Sequence, residues 1–388
     1  MSVTAARGFR AAGVAAGLKP SGKTDLALIV NDGPSSAAAA VFTANRCKAN
    51  PVLWSEEAIK GGSARAMVAN SGGANCYTGA EGFANTHATA ETVAELLGVG
   101  SIDVQVCSTG LIGLLNDREA LLSGAAKAVG ALDLDGGAAA AEAIMTTDSV
   151  PKQATATVDG CTVGGMAKGA GMLAPSLATM LVFLTTDADV DAATCDRALR
   201  AATARTFDRI DSDGCMSTND TVLLMASGAA PVASERGAPA YPDFEAAVHD
   251  VCADLARQLV ADAEGADHDI AIRVVGAAAE SEALEVGRAI ARSNLFKCAI
   301  YGRDPNWGRV LAQIGTTEAT FDPADLDVAL NGVWVCRNSG PADDPNSVDL
   351  DRREVEVVVD LKSGPHEATV WTNDLTHAYV HENSAYST

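Results

Sequence analysis

The stretch KGAGMLAPSLATMLVFLTTDA, residues 168–188, carries the most information in this chain. A glycine-rich loop stopped by Pro175 delivers Thr179 to the head of an apolar run, Met180 to Leu184. Ala178 is small, and Lys168 lies upstream of the threonine. A hydroxyl beside a backbone carbonyl can attack it and split the chain. Thr179 then holds a free α-amine, which can serve as the base for its own hydroxyl. The plainer reading of the same residues is a core strand that begins with threonine, a good strand former.

The chain has 388 residues, nearly half of them apolar and 20% charged, so it is globular and long enough for two or three domains. Aromatics are 4%, which leaves a core of Ala, Val, Leu and Ile. The net charge of −22 argues against nucleic-acid or anionic-membrane partners, which its field would repel. That charge is uneven, with −3 on residues 1–178 and −19 on residues 179–388. Nine scattered cysteines without a Cys-x-x-Cys pair read as reduced, mostly buried thiols, not as disulfides or a zinc site. His377 and His381 have metal-ligand spacing, but no glutamate follows the first, so no metal is expected. Without a signal-like start or an apolar run near 18 residues, the expectation is a cytoplasmic enzyme.

Short apolar runs alternate with helical patterns, which points to a mixed α/β fold. Residues 26–30, 103–107, 153–158, 180–184, 221–225, 270–275 and 354–360 read as strands. Phe244, Val248, Val251, Leu255 and Leu259 recur at helical spacing behind Pro242 and Asp243. That helix should stop before Gly265 and leave Glu264 near its end. Residues 280–292 read as another helix, 298–301 as a strand, and 136–141 as a helix start.

Four polar Gly/Asn-rich loops lie between these elements, at 70–75, 108–113, 211–220 and 304–309. Each alone reads as a turn, but together they suggest a polar cleft built from loops. Ser108-Thr109-Gly110 follows a predicted strand, where a hydroxyl and a glycine N–H could converge on a developing oxyanion. Lys168 suits a substrate carboxylate, being a flexible point charge. Two patterns fit only on paper. Gly169-x-Gly171-x-x-Ala174 resembles a dinucleotide loop but meets Pro175 where a helix should open. Gly17-x-x-x-x-Gly22-Lys23-Thr24 resembles a phosphate loop but runs into a strand-like segment.

Taken in order, Thr146-Thr147-Asp148, Lys168 to Met172, Leu177 to Leu181, Ser217 to Asp220, Asp304 to Arg309 and Glu382 to Tyr386 resemble the ornithine acetyltransferases of arginine biosynthesis. The resemblance runs from about residue 6 to the C-terminus. It implies a mixed-sheet, layered α/β fold shared with self-processing aminopeptidases, together with a second, smaller α/β domain. It implies self-cleavage between Ala178 and Thr179 into an α chain, 1–178, and a β chain, 179–388, which associate as two of each. Thr179 is then the nucleophile, Thr109 and Gly110 the oxyanion hole, and Thr146, Lys168, Thr179, Glu264, Asn383 and Thr388 the substrate contacts.

The implied reaction moves an acetyl group from N2-acetylornithine to glutamate through acetyl-Thr179. No cofactor is called for, although acetyl-CoA would be a co-substrate in a bifunctional enzyme. Two rivals stand beside it: a self-processing aminopeptidase or amidase using the same nucleophile, and a non-catalytic binding protein. One departure from the family pattern concerns Glu264-Gly265-Ala266, after which a small polar residue and a lysine are expected. Asp267 and His268 stand there instead, so His268 is expected either beside Glu264, in a more negative field, or in water.

Overall fold

The computed structural model describes residues 2–174, 180–230 and 240–385. Ala178, Thr179 and Thr388 lie outside the described residues. Two sheets stack face to face at the centre. The first has four strands in the order Phe9–Val14, Leu26–Asn31, Ala66–Asn70, Val104–Ser108. The second has five, in the order Ala38–Phe42, Thr221–Ala226, Leu181–Thr186, Cys161–Lys168, Lys152–Val158.

Side chains alternate across a strand, so each sheet feeds two cores. Ile29, Met67 and Cys107 of the first sheet meet Met166, Leu181, Phe183 and Leu223 of the second. On the outer face of the first sheet, Leu28, Val68 and Val106 pack under the helices Gly79–Leu97 and Arg118–Gly130. On that of the second, Val182, Leu184, Val222 and Leu224 pack under Ala192–Arg205 and Tyr241–Ala261. The result is four layers, helix, sheet, sheet and helix. All six residues of Leu181–Thr186 are buried, because that strand is covered on both faces.

A smaller α/β unit follows. Six strands, ordered Gly340–Pro341, Val333–Arg337, Asp327–Leu330, Glu354–Asp360, Asp269–Ala277, His366–Asn373, pack against the helices Glu280–Ala291 and Trp307–Ile314 around a separate core. Among the described residues, no helix is long and apolar enough to cross a membrane. All nine cysteines are free.

One predicted element is corrected. Residues 298–301 belong to a helix, Asn294–Tyr301, capped by Ser293, whose side chain accepts from the Phe296 N–H at 3.3 Å. Phe296 and Ile300 are buried four residues apart while Leu295 and Cys298 are exposed. A short apolar run looks alike in either structure, and here the cap and the burial period decide it.

Candidate active site

A cleft beside the start of Leu181–Thr186 gathers Thr109, Gly110, Thr146, Lys168, Glu264 and Asn383, together with Ser217, Thr218 and Asn219. Lys168 pairs with Leu181 across one strand boundary, and Thr221 pairs with it across the other. The chain therefore enters this strand at the cleft. Met180 is anchored there, its N–H donating to Asp220 Oδ1 at 3.0 Å. Asp220 is fully buried, and among the described residues its second oxygen has no hydrogen-bond partner. Burial holds its carboxyl well above the usual range.

Three of the four polar loops meet at this cleft, joined by Asn219. Its amide donates to the carbonyl of Ala74 at 2.6 Å and to that of Ser108 at 2.8 Å. The fourth loop does not take part. In it, Asn306 caps the helix Trp307–Ile314, accepting from the Arg309 N–H at 3.2 Å.

Ser108 ends its strand, and the Thr109 N–H is spent on the carbonyl of Asn70 at 2.9 Å. Gly110 sits at φ 122°, and a Cβ there would come within 3.1 Å of the Gly72–Gly73 backbone. Both the torsion and the close approach require glycine. Among the described residues, neither the Thr109 hydroxyl nor the Gly110 N–H has a hydrogen-bond partner, and both residues line the cleft. Two unspent donors side by side can hold an oxyanion.

Asp148 organises the opposite wall, and sequence reasoning gave it no role. It accepts from the N–H groups of Thr146 at 2.9 Å and Gly169 at 2.6 Å, and from Lys152 Nζ at 2.8 Å. Lys168 Nζ stands 3.9 Å away. Burial opposes ionisation of this carboxyl. The field of Lys168 and Lys152 and the hydrogen bonds outweigh burial and bring the pKa down to about 2. Lys168 is 1% exposed and, among the described residues, its ammonium makes only that long ion pair. Burial therefore pulls its pKa down, against the fields of Asp148, Asp220 and Glu264. Asp148 is the settled anion, and Lys168 is the charge still in need of a partner.

Glu264 and Asn383 meet because the C-terminal helix His377–Ala385 docks on the turn that holds Glu264. Thr376 Oγ1 donates to the carbonyl of Gly265 at 2.5 Å, and Asn383 Nδ2 donates to Glu264 Oε2 at 3.1 Å. The Glu264 carboxylate also lies over Gly171, where a Cβ would come within 2.6 Å of it. His268 corrects both expectations for that position. It is 5% exposed and faces neither the cleft nor water. Its Nδ1 bonds Asp374 Oδ2 at 2.7 Å, and its Nε2 bonds the carbonyl of Leu350 at 3.1 Å.

The paper phosphate loop at 17–24 wraps a carboxylate of its own. Asp25 accepts from the N–H groups of Ala16, Leu18 and Lys19 at 2.6 to 2.9 Å. His377 stands edge-on to Tyr301. Among the described residues, no group of three or more His, Cys, Asp or Glu side chains could hold a metal ion.

The ArgJ family model matches residues 10–388. A Streptomyces avermitilis protein named arginine biosynthesis bifunctional protein ArgJ is 62% identical over 387 residues, covering 100% of both chains. A Mycobacterium tuberculosis protein of the same name is 54% identical, over 99% of this chain and 96% of its own. Among solved structures, the ornithine acetyltransferase of M. tuberculosis complexed with ornithine is 54% identical. That match covers 45% of this chain and 95% of the solved one, at a TM-score of 0.42. With matches along its whole length, this chain belongs to the ArgJ family and is an acyltransferase.

Proposed function

We propose that this chain catalyses a step of arginine biosynthesis, transferring acetyl from N2-acetylornithine to glutamate through an acetyl ester of Thr179. The observation that supports this most is the single cleft that collects Thr109, Gly110, Thr146, Lys168, Glu264 and Asn383 where the chain enters the strand Leu181–Thr186. The enzyme first cuts itself between Ala178 and Thr179. The resulting chains, 1–178 and 179–388, stay together because the strands Thr221–Ala226 and Leu181–Thr186 of the second are paired between Ala38–Phe42 and Cys161–Lys168 of the first in the five-stranded sheet. In the assembled enzyme two copies of each chain associate.

In the first half-reaction Thr179 Oγ attacks the acetyl carbonyl, and the α-amine of Thr179 takes the hydroxyl proton. The carbonyl oxygen gains negative charge between the Thr109 hydroxyl and the Gly110 N–H. As the carbon–nitrogen bond breaks, that proton passes to the departing ornithine amine. Glutamate enters and its amine attacks the ester, which returns Thr179 and yields N-acetylglutamate. Lys168 holds the α-carboxylate that both amino acids share, Glu264 faces the ornithine ammonium, and Thr146, Asn383 and Thr388 donate or accept around them.

A ping-pong reaction has a clear kinetic form. Initial rates at several fixed glutamate concentrations should give parallel double-reciprocal lines, and acetylornithine alone should leave an acetyl group on the 179–388 chain. Intersecting lines with no acetylated chain would establish direct transfer instead. Replacing glutamate by water in a peptide-amide assay separates the aminopeptidase rival. Substituting acetyl-CoA for acetylornithine tests a second donor to the same threonine.

Thr109→Ala should slow acetyl transfer by about tenfold or more, about 1.4 kcal/mol of transition-state stabilisation, with a smaller rise in KM. Processing of this variant is checked first on a denaturing gel. A normal turnover number would reduce the loop to a structural turn.

A further inference from the structure

A second, smaller cavity of about 70 Å³ adjoins the cleft, and Glu264 lines both. Its other charged walls are Asp213, Asp374 and Lys297. Lys297, on the helix Asn294–Tyr301, is 6% exposed. Its ammonium donates to the backbone carbonyl of Ser212, and among the described residues it forms no ion pair within 4.0 Å. Two of its three donors are left over. A buried ammonium without a close counter-ion is costly, so burial pushes its pKa down against the pull of Asp213, Asp211 and Asp374.

The carboxylates around it differ in how far they are already spent. Asp374 accepts from the N–H groups of Asp267 and His268 at 3.0 Å each and pairs with the His268 ring. Asp213 accepts from the Cys215 N–H at 3.1 Å. Glu264 has the Asn383 amide but, among the described residues, no cation within 4.0 Å. Among the described residues, the cavity thus offers one ammonium with free donors and two carboxylates, Glu264 and Asp213, with no cation within 4.0 Å, and of these two only Glu264 also lines the cleft. The acetyl donor and the acceptor pose the matching problem, since ornithine ends in an ammonium and glutamate in a carboxylate.

Building on the acetyl-transfer reading above, we propose that Lys297 is the acceptor-specificity residue, receiving the side-chain carboxylate of glutamate while Glu264 receives the ammonium of ornithine. One chamber then serves two side chains of opposite charge by offering each its own partner. The cation expected at position 268 is supplied instead by a helix of the smaller unit, and His268 is left to hold Asp374.

The test compares glutamate with glutamine as acceptor, both supplied to the acetylated, processed enzyme. The wild type should prefer glutamate by about tenfold or more in kcat/KM, because glutamine brings no charge to Lys297. A wild type that uses both equally overturns the proposal without any variant. Lys297→Gln should erase most of that preference and raise the glutamate KM by about tenfold, with acetylation by acetylornithine changed by no more than about threefold. Lys297→Arg should keep most of the preference. A merely structural lysine would weaken both half-reactions together and leave the glutamate-to-glutamine ratio untouched, and that result also overturns the proposal. Should Lys297→Gln fail to fold, Asp213→Asn reads the same field. It should lower the glutamate KM, and an unchanged value counts against Lys297 as the receptor. Failure of the enzyme to acetylate any amine from acetylornithine is a different outcome, and it would overturn the acetyl-transfer reading itself.

Discussion

Thr179→Ala should run on a denaturing gel as one chain of full length, where the wild type should show two pieces with the larger beginning at Thr179. The variant should have no measurable acetyl transfer. In the proposed mechanism one hydroxyl attacks the Ala178 carbonyl and later carries acetyl, so its removal takes away both steps. The free α-amine proposed as the base would also be missing, because it arises only from the cut. Loss of a nucleophile typically costs several orders of magnitude in rate, so this is the largest effect expected of any single change. Thr179→Ser keeps a hydroxyl for both roles, so processing and turnover should both persist at reduced rate. Cleavage that continues in Thr179→Ala would dismiss the mechanism.

Asp148→Asn should cost about 3 to 5 kcal/mol of stability at pH 7, a large share of what a protein has to spare. The carboxylate is buried against Lys152 and Lys168, and it holds the N–H groups of Thr146 and Gly169. An amide in its place leaves the two ammonium groups without their shared counter-charge and turns a donor towards them. The acid dependence has a definite sign. With its folded pKa depressed to about 2, the carboxyl contributes stability above the unfolded value near 3.8 and loses it as pH falls towards 2. That contribution is about 2 to 3 kcal/mol. Urea unfolding at pH 7 and at pH 3 should therefore show a shallower decline on acidification in the variant than in the wild type. Equal midpoints for the two proteins at pH 7 would remove Asp148 from this role. Lys168 and Thr146 both flank the cleft, so turnover should fall as well, even under conditions where the variant is fully folded.

Strands at 26–30, 153–158, 180–184, 221–225 and 354–360 were legible because a buried or half-buried strand writes its own local pattern. The long helix Tyr241–Ala261 was legible for the same reason, with five apolar residues at helical spacing behind a proline. Residues 298–301 look like a strand in sequence because a short run shows too little of its period, and the start signal of the helix, Ser293, lies several residues upstream. Of the polar loops, 304–309 looked as chemical as the others. Its asparagine serves a helix end in the smaller unit, a purpose that composition cannot separate from catalysis.

By itself the sequence determined the chemistry available to this protein: a threonine behind a small residue, a hydroxyl-glycine pair after a strand, a lysine in a glycine-rich segment and a lone acidic turn. Each of these is written within a few consecutive residues, and short-range order is what sequence records. Which charges face one another was decided only by the tertiary structure. Asp148 is joined to Gly169 and Asp262 to Lys152, partners far apart in the chain. Asn219 ties two distant loops together, and Lys297 arrives at the Glu264 cavity from another unit. His268 shows the point most clearly, since the same residue could have faced substrate or water and instead pairs with Asp374 in the interior. Burial sets the cost of every such charge, and burial is a property of the packed layers, not of any local stretch.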